Sequence, residues 1–443
     1  MRRLLLLMLC ALICLAGASA GAEVDPTPRA DPTPRADPTP EADPAPKADP
    51  ASRDLTIVHV TDMHYLSPGL TDYGEYFMSL IAAADGKVTH YTPQLMQAFV
   101  DEMLAMAPDA IILSGDLTLN GATRSHEELT ALLRPLAEAG IQVLAMSGNH
   151  DTNGTGYQFS GSEVVPVEGL LDEEFDDYYA DFGYAQAIAR DETSMSYVAQ
   201  LSPEVWCLML DVNSNGTAGT VNKGTLAWIE EQLKQAQAAG ITVISVTHQP
   251  ALVHHSMFTF GYTINNSTQL LELYEGYQVP LNLCGHLHMQ HVGRAGPLVE
   301  IAASSLAVSP NQYGVLRVKD GRLADYAMQQ TDVSAWAART GQSDPNLLAF
   351  AAYSAGFFDQ TARNQVEATL ADEALAQQER AQMTAFAIEL NAGYFAGRHT
   401  VSADDPARAL WEERFPNSFF TYYMRTILEE AAMDMSRVAF GEE

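Results

Sequence analysis

Leu55-Thr56-Ile57-Val58-His59-Val60-Thr61-Asp62-Met63-His64 is the stretch that decides the fold of this chain. A β-branched, apolar run of strand length stops at an aspartate and a histidine two positions apart. Residues so spaced share one face of a strand, so at a strand end they can grip one ion together. Moving outward, the pattern recurs four times. Residues 110–113 lead into Gly115-Asp116, and residues 141–146 into Gly148-Asn149-His150-Asp151. Residues 241–246 lead into His248, and residues 279–283 into Gly285-His286-Leu287-His288. Apolar residues at helical spacing fill 93–106, 125–139 and 223–238 between these runs. Open α/β sheets build their sites at the C-terminal ends of strands in such an alternation. Five clusters of metal-binding side chains, all at strand ends, imply a hydrolase that works with two metal ions.

Some strand-like runs follow one another without a helix, namely 195–199 with 205–211 and 299–303 with 314–318. That mixture predicts an α/β domain over residues 54–328, with two packed, partly parallel sheets flanked by helices. Long polar insertions follow the clusters at 65–92, 152–172 and 251–266. Loops of this length inside a compact domain are usually functional. Past Gln330 the strand signal fades. Leu375, Met383, Phe386, Leu390 and Tyr394 then recur at helical spacing, and residues 419–433 behave alike. A small all-α C-terminal domain is expected over 329–443, with those aromatic and Met positions as its core.

Residues 1–20 read as a secretory signal: Arg2 and Arg3, an apolar run from Leu4 to Leu15, then Ala18-Ser19-Ala20. Lipid attachment at Cys10 or Cys14 fits poorly, because each follows a bulky residue, Leu9 or Ile13. Residues 21–53 repeat Ala-Asp-Pro-Thr-Pro-Arg with little to bury. They predict a polyproline spacer that either tethers the enzyme to a cell surface or remains as a free tail. The expected location is therefore secreted or cell-surface. A formal charge of -32 over 443 residues argues against duplex nucleic acid or anionic lipid as a partner. Outside the signal only Cys207 and Cys284 remain, both in apolar strand patterns. They are expected as buried core thiols, although Cys284 lies close enough to His286 for a ligand role.

Two divalent cations need a bridging carboxylate, and imidazole, carboxylate and amide ligands suit Mn, Fe, Zn or Ni. Asp116 is the natural bridge, in its Gly-Asp turn, and Gly285 lets the backbone turn so that His286 and His288 reach one site. His59, His90, His126, His291 and His399 are expected as ordinary core or surface residues. His254 and His255 are weaker candidates for lining a pocket.

With all five blocks in order, the chain resembles the calcineurin-like metallophosphoesterases over residues 54–328. The resemblance implies a four-layer α/β/β/α sandwich. One metal would then sit on Asp62, His64, Asp116 and His288, and a second on Asp116, Asn149, His248 and His286. His150 would face the scissile phosphate without binding metal. Leu119-Asn120 stands where serine/threonine phosphatases of this family carry aspartate-arginine. Leu119 also occupies the place of the tyrosine ligand of purple acid phosphatases. Residues 61–70 and 261–266 are more similar to class III cyclic nucleotide phosphodiesterases, in particular an exported bacterial branch with a helical C-terminal domain. The resemblance implies hydrolysis of a small phosphodiester, a 2′,3′- or 3′,5′-cyclic nucleotide. Two carboxylates and two divalent ions leave the centre at about +2, enough to hold that anion in an acidic protein. Water shared by the ions would attack phosphorus in line, with His150 either protonating the departing alkoxide or steadying the phosphoryl oxygens. Tyr65, Tyr157, Phe159, Phe258, Phe260 and Tyr262 lie in the long loops, where they either stack a base or pack the loops. Three alternatives stay open: a phosphomonoesterase or nucleotidase, a non-catalytic binding protein on the same scaffold, and a helical domain serving dimerisation or wall docking.

Overall fold

The computed structural model describes residues 54–214, 217–371, 375–398, 401–430 and 434–441. The expected signal, the proline-rich linker and His399 lie outside them. Along the chain run strands β1 (Leu55–Val60), β2 (Ala110–Ser114), β3 (Gln142–Met146), β4 (Thr155–Ser160) and β5 (Glu163–Glu168). There follow β6 (Ala189–Arg190), β7 (Tyr197–Ser202), β8 (Val205–Leu210), β9 (Thr242–Thr247) and β10 (Leu281–Cys284). The last are β11 (His291–Ala295), β12 (Leu298–Ala302), β13 (Gln312–Lys319), β14 (Arg322–Gln330) and β15 (Arg437–Ala439).

One sheet has the order β15-β14-β13-β1-β2-β3, with β1, β2 and β3 parallel. The other has the order β11-β12-β10-β9-β8-β7-β6, with β8, β9, β10 and β12 parallel. Parallel strands covered on both faces need continuous apolar runs, as in Ile111-Ile112-Leu113 and Val143-Leu144-Ala145, all buried. Ile57, Ile112 and Leu144 from the first sheet share one core with Ile244, Leu283 and Ile301 from the second.

Helices close the two outer faces. Before β6 come α1 (Glu75–Ala82), α2 (Thr92–Met106), α3 (Thr123–Glu138) and α4 (Asp172–Tyr178); α5 (Lys223–Ala239) and α6 (Ser267–Gly276) come later. Phe99 of α2 with Leu129 and Leu133 of α3 cover the first sheet. Ile229 and Leu233 of α5 with Leu270 and Tyr274 of α6 cover Leu208 and Val243 of the second. The result is the four-layer α/β/β/α sandwich. The strands and helices expected between 55 and 319 are present, with ends shifted by at most three residues. Residues 152–172 differ from expectation, forming the antiparallel hairpin β4–β5 instead of an irregular insertion. Its Gly161, at φ 61, supplies the left-handed turn residue between Tyr157 and Phe159 on one side and Val165 and Val167 on the other.

The C-terminal region holds α7 (Val333–Arg339), α8 (Pro345–Leu348), α9 (Phe350–Leu370), α10 (Gln377–Phe395), α11 (Pro406–Arg414) and α12 (Phe419–Glu429). Met383, Phe386, Leu390 and Tyr394 are buried, and Leu375 packs against them. This helical core does not close on itself. It continues into Cys284, Leu287, Met289 and Ala302, the strand end that carries the Gly-His-x-His turn. After α12 the chain returns to the first sheet as β15, paired with β14. The helical unit is therefore packed against the site-bearing edge of the sandwich.

Candidate metal centre

The C-terminal ends of β1, β2 and β3 and those of β9 and β10 meet along one edge, where backbone bonds stitch them together. Asp62 N donates to Gly115 O at 3.1 Å, His64 N to Asp116 O at 3.0 Å, and Gly285 N to His248 O at 3.0 Å. His286 N donates to Asp62 Oδ2 at 2.9 Å, joining the two sheets through a ligand side chain. Five of the seven candidate ligands adopt left-handed backbone: Asp62 (φ 51), His64 (φ 44), Asp116 (φ 48), His286 (φ 67) and His288 (φ 58). Such conformations cost about 1–2 kcal/mol each for residues with a Cβ. Clustering of that strain at one edge marks a site whose geometry outweighs local preference.

The side chains converge as two groups sharing Asp116. Asp62, His64, Asp116 and His288 place one donor atom each within 4.8 Å of one another, and Asp116, His248 and His286 do the same. Asn149 Oδ1 joins the second group, 3.2 Å from His248 Nε2. Asp116 offers one oxygen to each: Oδ1 lies 3.3 Å from His248 Nε2, and Oδ2 lies 3.8 Å from His64 Nε2. His64 Nε2 and His288 Nε2 face each other at 3.1 Å. Asp62 Oδ1 is buried with no hydrogen-bond partner, while its Oδ2 accepts from Thr61 Oγ1 at 2.8 Å. An orphaned carboxylate oxygen among converging imidazoles fits the donor set of a divalent cation.

The outer nitrogens are also held. His248 Nδ1 donates to Ser114 O at 2.9 Å, leaving Nε2 for the centre. His286 Nε2 donates to Gly261 O at 3.0 Å, leaving Nδ1. Such outer bonds fix the tautomer of metal-binding histidines. Asp151 is not a ligand. Its buried carboxylate accepts from Gly148 N at 2.8 Å, Leu117 N at 3.1 Å and Thr118 N at 2.9 Å, tying the Gly-Asn-His-Asp turn to the Gly-Asp turn. His150 stands beside the cluster. Its N donates to Asp116 Oδ1 at 2.9 Å and its Nδ1 to Leu119 O at 2.8 Å, while Nε2 stays 3.9 Å from Asp116 Oδ2.

Electrostatics agree with a cation site. Burial would raise the Asp116 carboxyl, but His248, His150 and His64 hold it well below its usual value. Burial pulls the His248 imidazole down, yet Asp116 and Asp62 override this and raise it to about 9. A proton thus sits where a cation would bind, and binding must displace it. Affinity for a divalent cation should rise about tenfold per pH unit from roughly pH 6 to 8 and level off above 9. Titrating metal-stripped protein with Mn²⁺ at several pH values measures this, and a flat profile would contradict it.

The remaining histidines separate from the centre. His59 bonds to Ser114 Oγ at 2.8 Å, His90 to Tyr353 OH at 2.6 Å and His126 to Tyr179 OH at 2.8 Å, all as buried core groups. His254 lies between Glu300 and His291, and His255 bonds to Thr426 of α12 at 2.9 Å. His255 is packed against the helical unit, and His254 is linked to it through His291, which bonds to Glu430 at 3.0 Å. Cys207 and Cys284 are buried and free. Cys284 shares a cluster with His254 and Glu300, apart from the two groups at Asp116. Among the loop aromatics, Tyr65 is buried and Phe159, Phe258 and Tyr262 pack into cores, whereas Phe260 is 91% exposed.

The family described as "Calcineurin-like phosphoesterase" matches residues 55–290, and the "C-terminal domain of cyclic nucleotide phosphodiesterase" matches residues 332–434. The chain is 24% identical over 239 residues to the cAMP/cGMP dual specificity phosphodiesterase of Mycobacterium tuberculosis, covering 53% of this chain and 62% of that protein. This chain thus spans less than two thirds of that relative's length. A Rhodococcus erythropolis protein named "Probable cyclic nucleotide phosphodiesterase" is 25% identical over 251 residues, covering 56% of this chain and 70% of its own. Among solved structures, a dimetal phosphatase from Danio rerio superposes with a TM-score of 0.47 at 11% identity, covering 62% of this chain and 95% of that one. With more than half of its residues matched and the family's side chains converging at one edge, the chain belongs to the calcineurin-like phosphoesterase family.

Proposed function

We propose that this protein is an exported phosphodiesterase that hydrolyses cyclic nucleotides at a two-metal centre. The observation that carries the reading is the sharing of Asp116 between two donor groups, with His150 poised beside both. One ion would be held by Asp62, His64, Asp116 and His288, the other by Asp116, Asn149, His248 and His286. When bound, the two cations supply positive charge for the phosphoryl oxygens and lower the pKa of water at the site.

The chain's own residues do the rest. Asp62 and Asp116, as anions, leave the loaded centre with a modest net positive charge matched to a phosphodiester. His150, anchored through Nδ1 and kept neutral by burial, turns Nε2 toward the centre, where it can take up a proton from water and pass it to the departing alkoxide. Left-handed turns at five ligand positions keep the donors in place before substrate arrives.

Cyclic nucleotides are favoured by the match over residues 332–434 and by the names of the two relatives. Phe260, 91% exposed and next in sequence to the Gly261 whose carbonyl holds His286, is the most exposed of the loop aromatics and the one assigned to stack on a base. Stacking is worth about 1–3 kcal/mol, so Phe260→Ala should raise KM for cyclic nucleotides about tenfold and leave KM for an alkyl diester unchanged. Equal effects on both would remove Phe260 from base recognition. The basic, apolar and small-residue order of residues 1–20 supports export, and the repeats of 21–53 support a surface tether.

The test is a substrate panel on metal-reconstituted protein: cAMP, cGMP, the 2′,3′-cyclic nucleotides, bis(p-nitrophenyl) phosphate and p-nitrophenyl phosphate. Faster cleavage of the diesters is expected, and preference for the monoester would move the function to a phosphatase or nucleotidase.

A further inference from the structure

Both histidines of the Gly-His-x-His turn have an outer partner supplied by an insertion loop. For His286 it is the Gly261 carbonyl already described. For His288 it is Asp85, a residue in the turn after α1 that no ligand motif contains. Asp85 Oδ2 lies 3.5 Å from His288 Nδ1. His288 Nε2 points the other way, 3.3 Å from Asp62 Oδ1. The same Asp85 oxygen is 2.8 Å from Lys87 Nζ, a lysine whose side chain is 8% exposed. Asp85 Oδ1 is buried with no hydrogen-bond partner.

The turn is fixed from two sides. Val88 N donates to Ala307 O at 2.9 Å, and the adjacent Leu306 N donates to Thr61 O at 3.1 Å, next to Asp62. Opposite, helix α9 of the C-terminal unit presses on the turn's glycine. Gly86 has φ 86, and a Cβ there would come 2.6 Å from Phe358 Cδ2. Thr361, one turn further along α9, donates to Ala82 O at 3.5 Å.

We propose that Asp85 is a positioning residue of the metal centre, seated by Phe358 of α9, which keeps His288 turned with Nε2 toward the cation. A carboxylate beside Nδ1 retains the proton there, fixes the tautomer and strengthens Nε2 as a donor. Lys87 keeps that carboxylate in place from its other side. The C-terminal helical unit thereby sets the metal affinity of an edge whose ligands all come from the sandwich. This inference rests on the two-cation reading of the site.

The experiment titrates metal-stripped full-length protein with Mn²⁺ by calorimetry and records the melting temperature of each metal-free variant. Wild type is expected to bind two Mn²⁺ per chain. Asp85→Ala should weaken one of the two sites about 10- to 100-fold, the usual effect of losing such a partner, and leave the other site nearly unchanged, while the metal-free melting temperature falls because buried Lys87 loses its carboxylate. Asp85→Asn, which keeps an acceptor oxygen, should fall between, and Phe358→Ala should shift the same site in the same direction by less. Wild-type affinities at both sites in a folded Asp85→Ala protein would overturn the proposal. If that variant does not fold, wild-type affinities in Asp85→Asn and Phe358→Ala together would overturn it. Fewer than two Mn²⁺ bound by wild type would instead reject the two-cation reading itself.

Discussion

Gly148→Ala is expected to abolish metal-dependent turnover, with a loss of at least a hundredfold in kcat/KM. A Cβ at this position would collide with the backbone N and Oδ1 of Asp116 and stand 2.9 Å from its carboxyl carbon. None of these atoms is the loose end of a flexible side chain. Asp116 is already in left-handed backbone, and its carbonyl receives His64 N. The shared carboxylate must therefore move, and a misplacement of about 1 Å at a reacting centre costs on the order of a hundredfold. Metal stoichiometry should fall with activity, since Asp116 belongs to both donor groups. Gly356→Ala is the matched control. That glycine lies exposed within α9 with nothing within 4 Å of an added Cβ, so alanine should be neutral or stabilise by up to about 1 kcal/mol. Near-wild-type turnover and Mn²⁺ binding in Gly148→Ala would show that the packing at Asp116 is not what holds the centre.

His150→Ala should separate binding from proton transfer. The imidazole is held by Leu119 O and keeps Nε2 on the side of the centre, yet it belongs to neither donor group. Two Mn²⁺ per chain should therefore remain bound. Proton delivery by a positioned side chain contributes about 10²- to 10⁴-fold, and it matters most when the leaving group is a poor one. Cyclic nucleotides, whose leaving group is a ribose alkoxide, should lose turnover by about that factor. Bis(p-nitrophenyl) phosphate, with its acidic phenol, should lose no more than a few fold. A uniform loss on both substrates would assign His150 to orientation of the phosphoryl group, and full activity on cyclic nucleotides would remove it from the mechanism.

The sequence was most legible where residue type and strand end coincide. Asp62, Asp116, His248 and His286 are marked by apolar runs that terminate in hard or imidazole donors, and parallel pairing brings such ends to one edge. Partners reached across the tertiary structure leave no such mark. Asp85 carries no spacing signal, because it meets His288 only after α1 and α9 pack around its turn. Gly261 is equally silent, as its contribution is a backbone carbonyl. The hairpin β4–β5 was obscured by the polar Glu163 and Glu168 at its ends, although Gly161 between alternating aromatic and valine positions is a turn signal. Amphipathic spacing identified the helical core of α10 but not its neighbour: a buried stripe reads the same whether it faces another helix or, as here, Leu287 and Met289. The return of residues 437–439 to the first sheet is a three-residue strand, too short for any period to show.

The most direct measurement follows cAMP hydrolysis while Mn²⁺ is titrated into metal-stripped full-length protein, with bound metal counted in the same samples. The two-metal account predicts no turnover without metal and activity that rises to a plateau as two ions per chain are bound. Phosphodiester hydrolysis that is already complete in the stripped protein, or none with both ions bound, would contradict it.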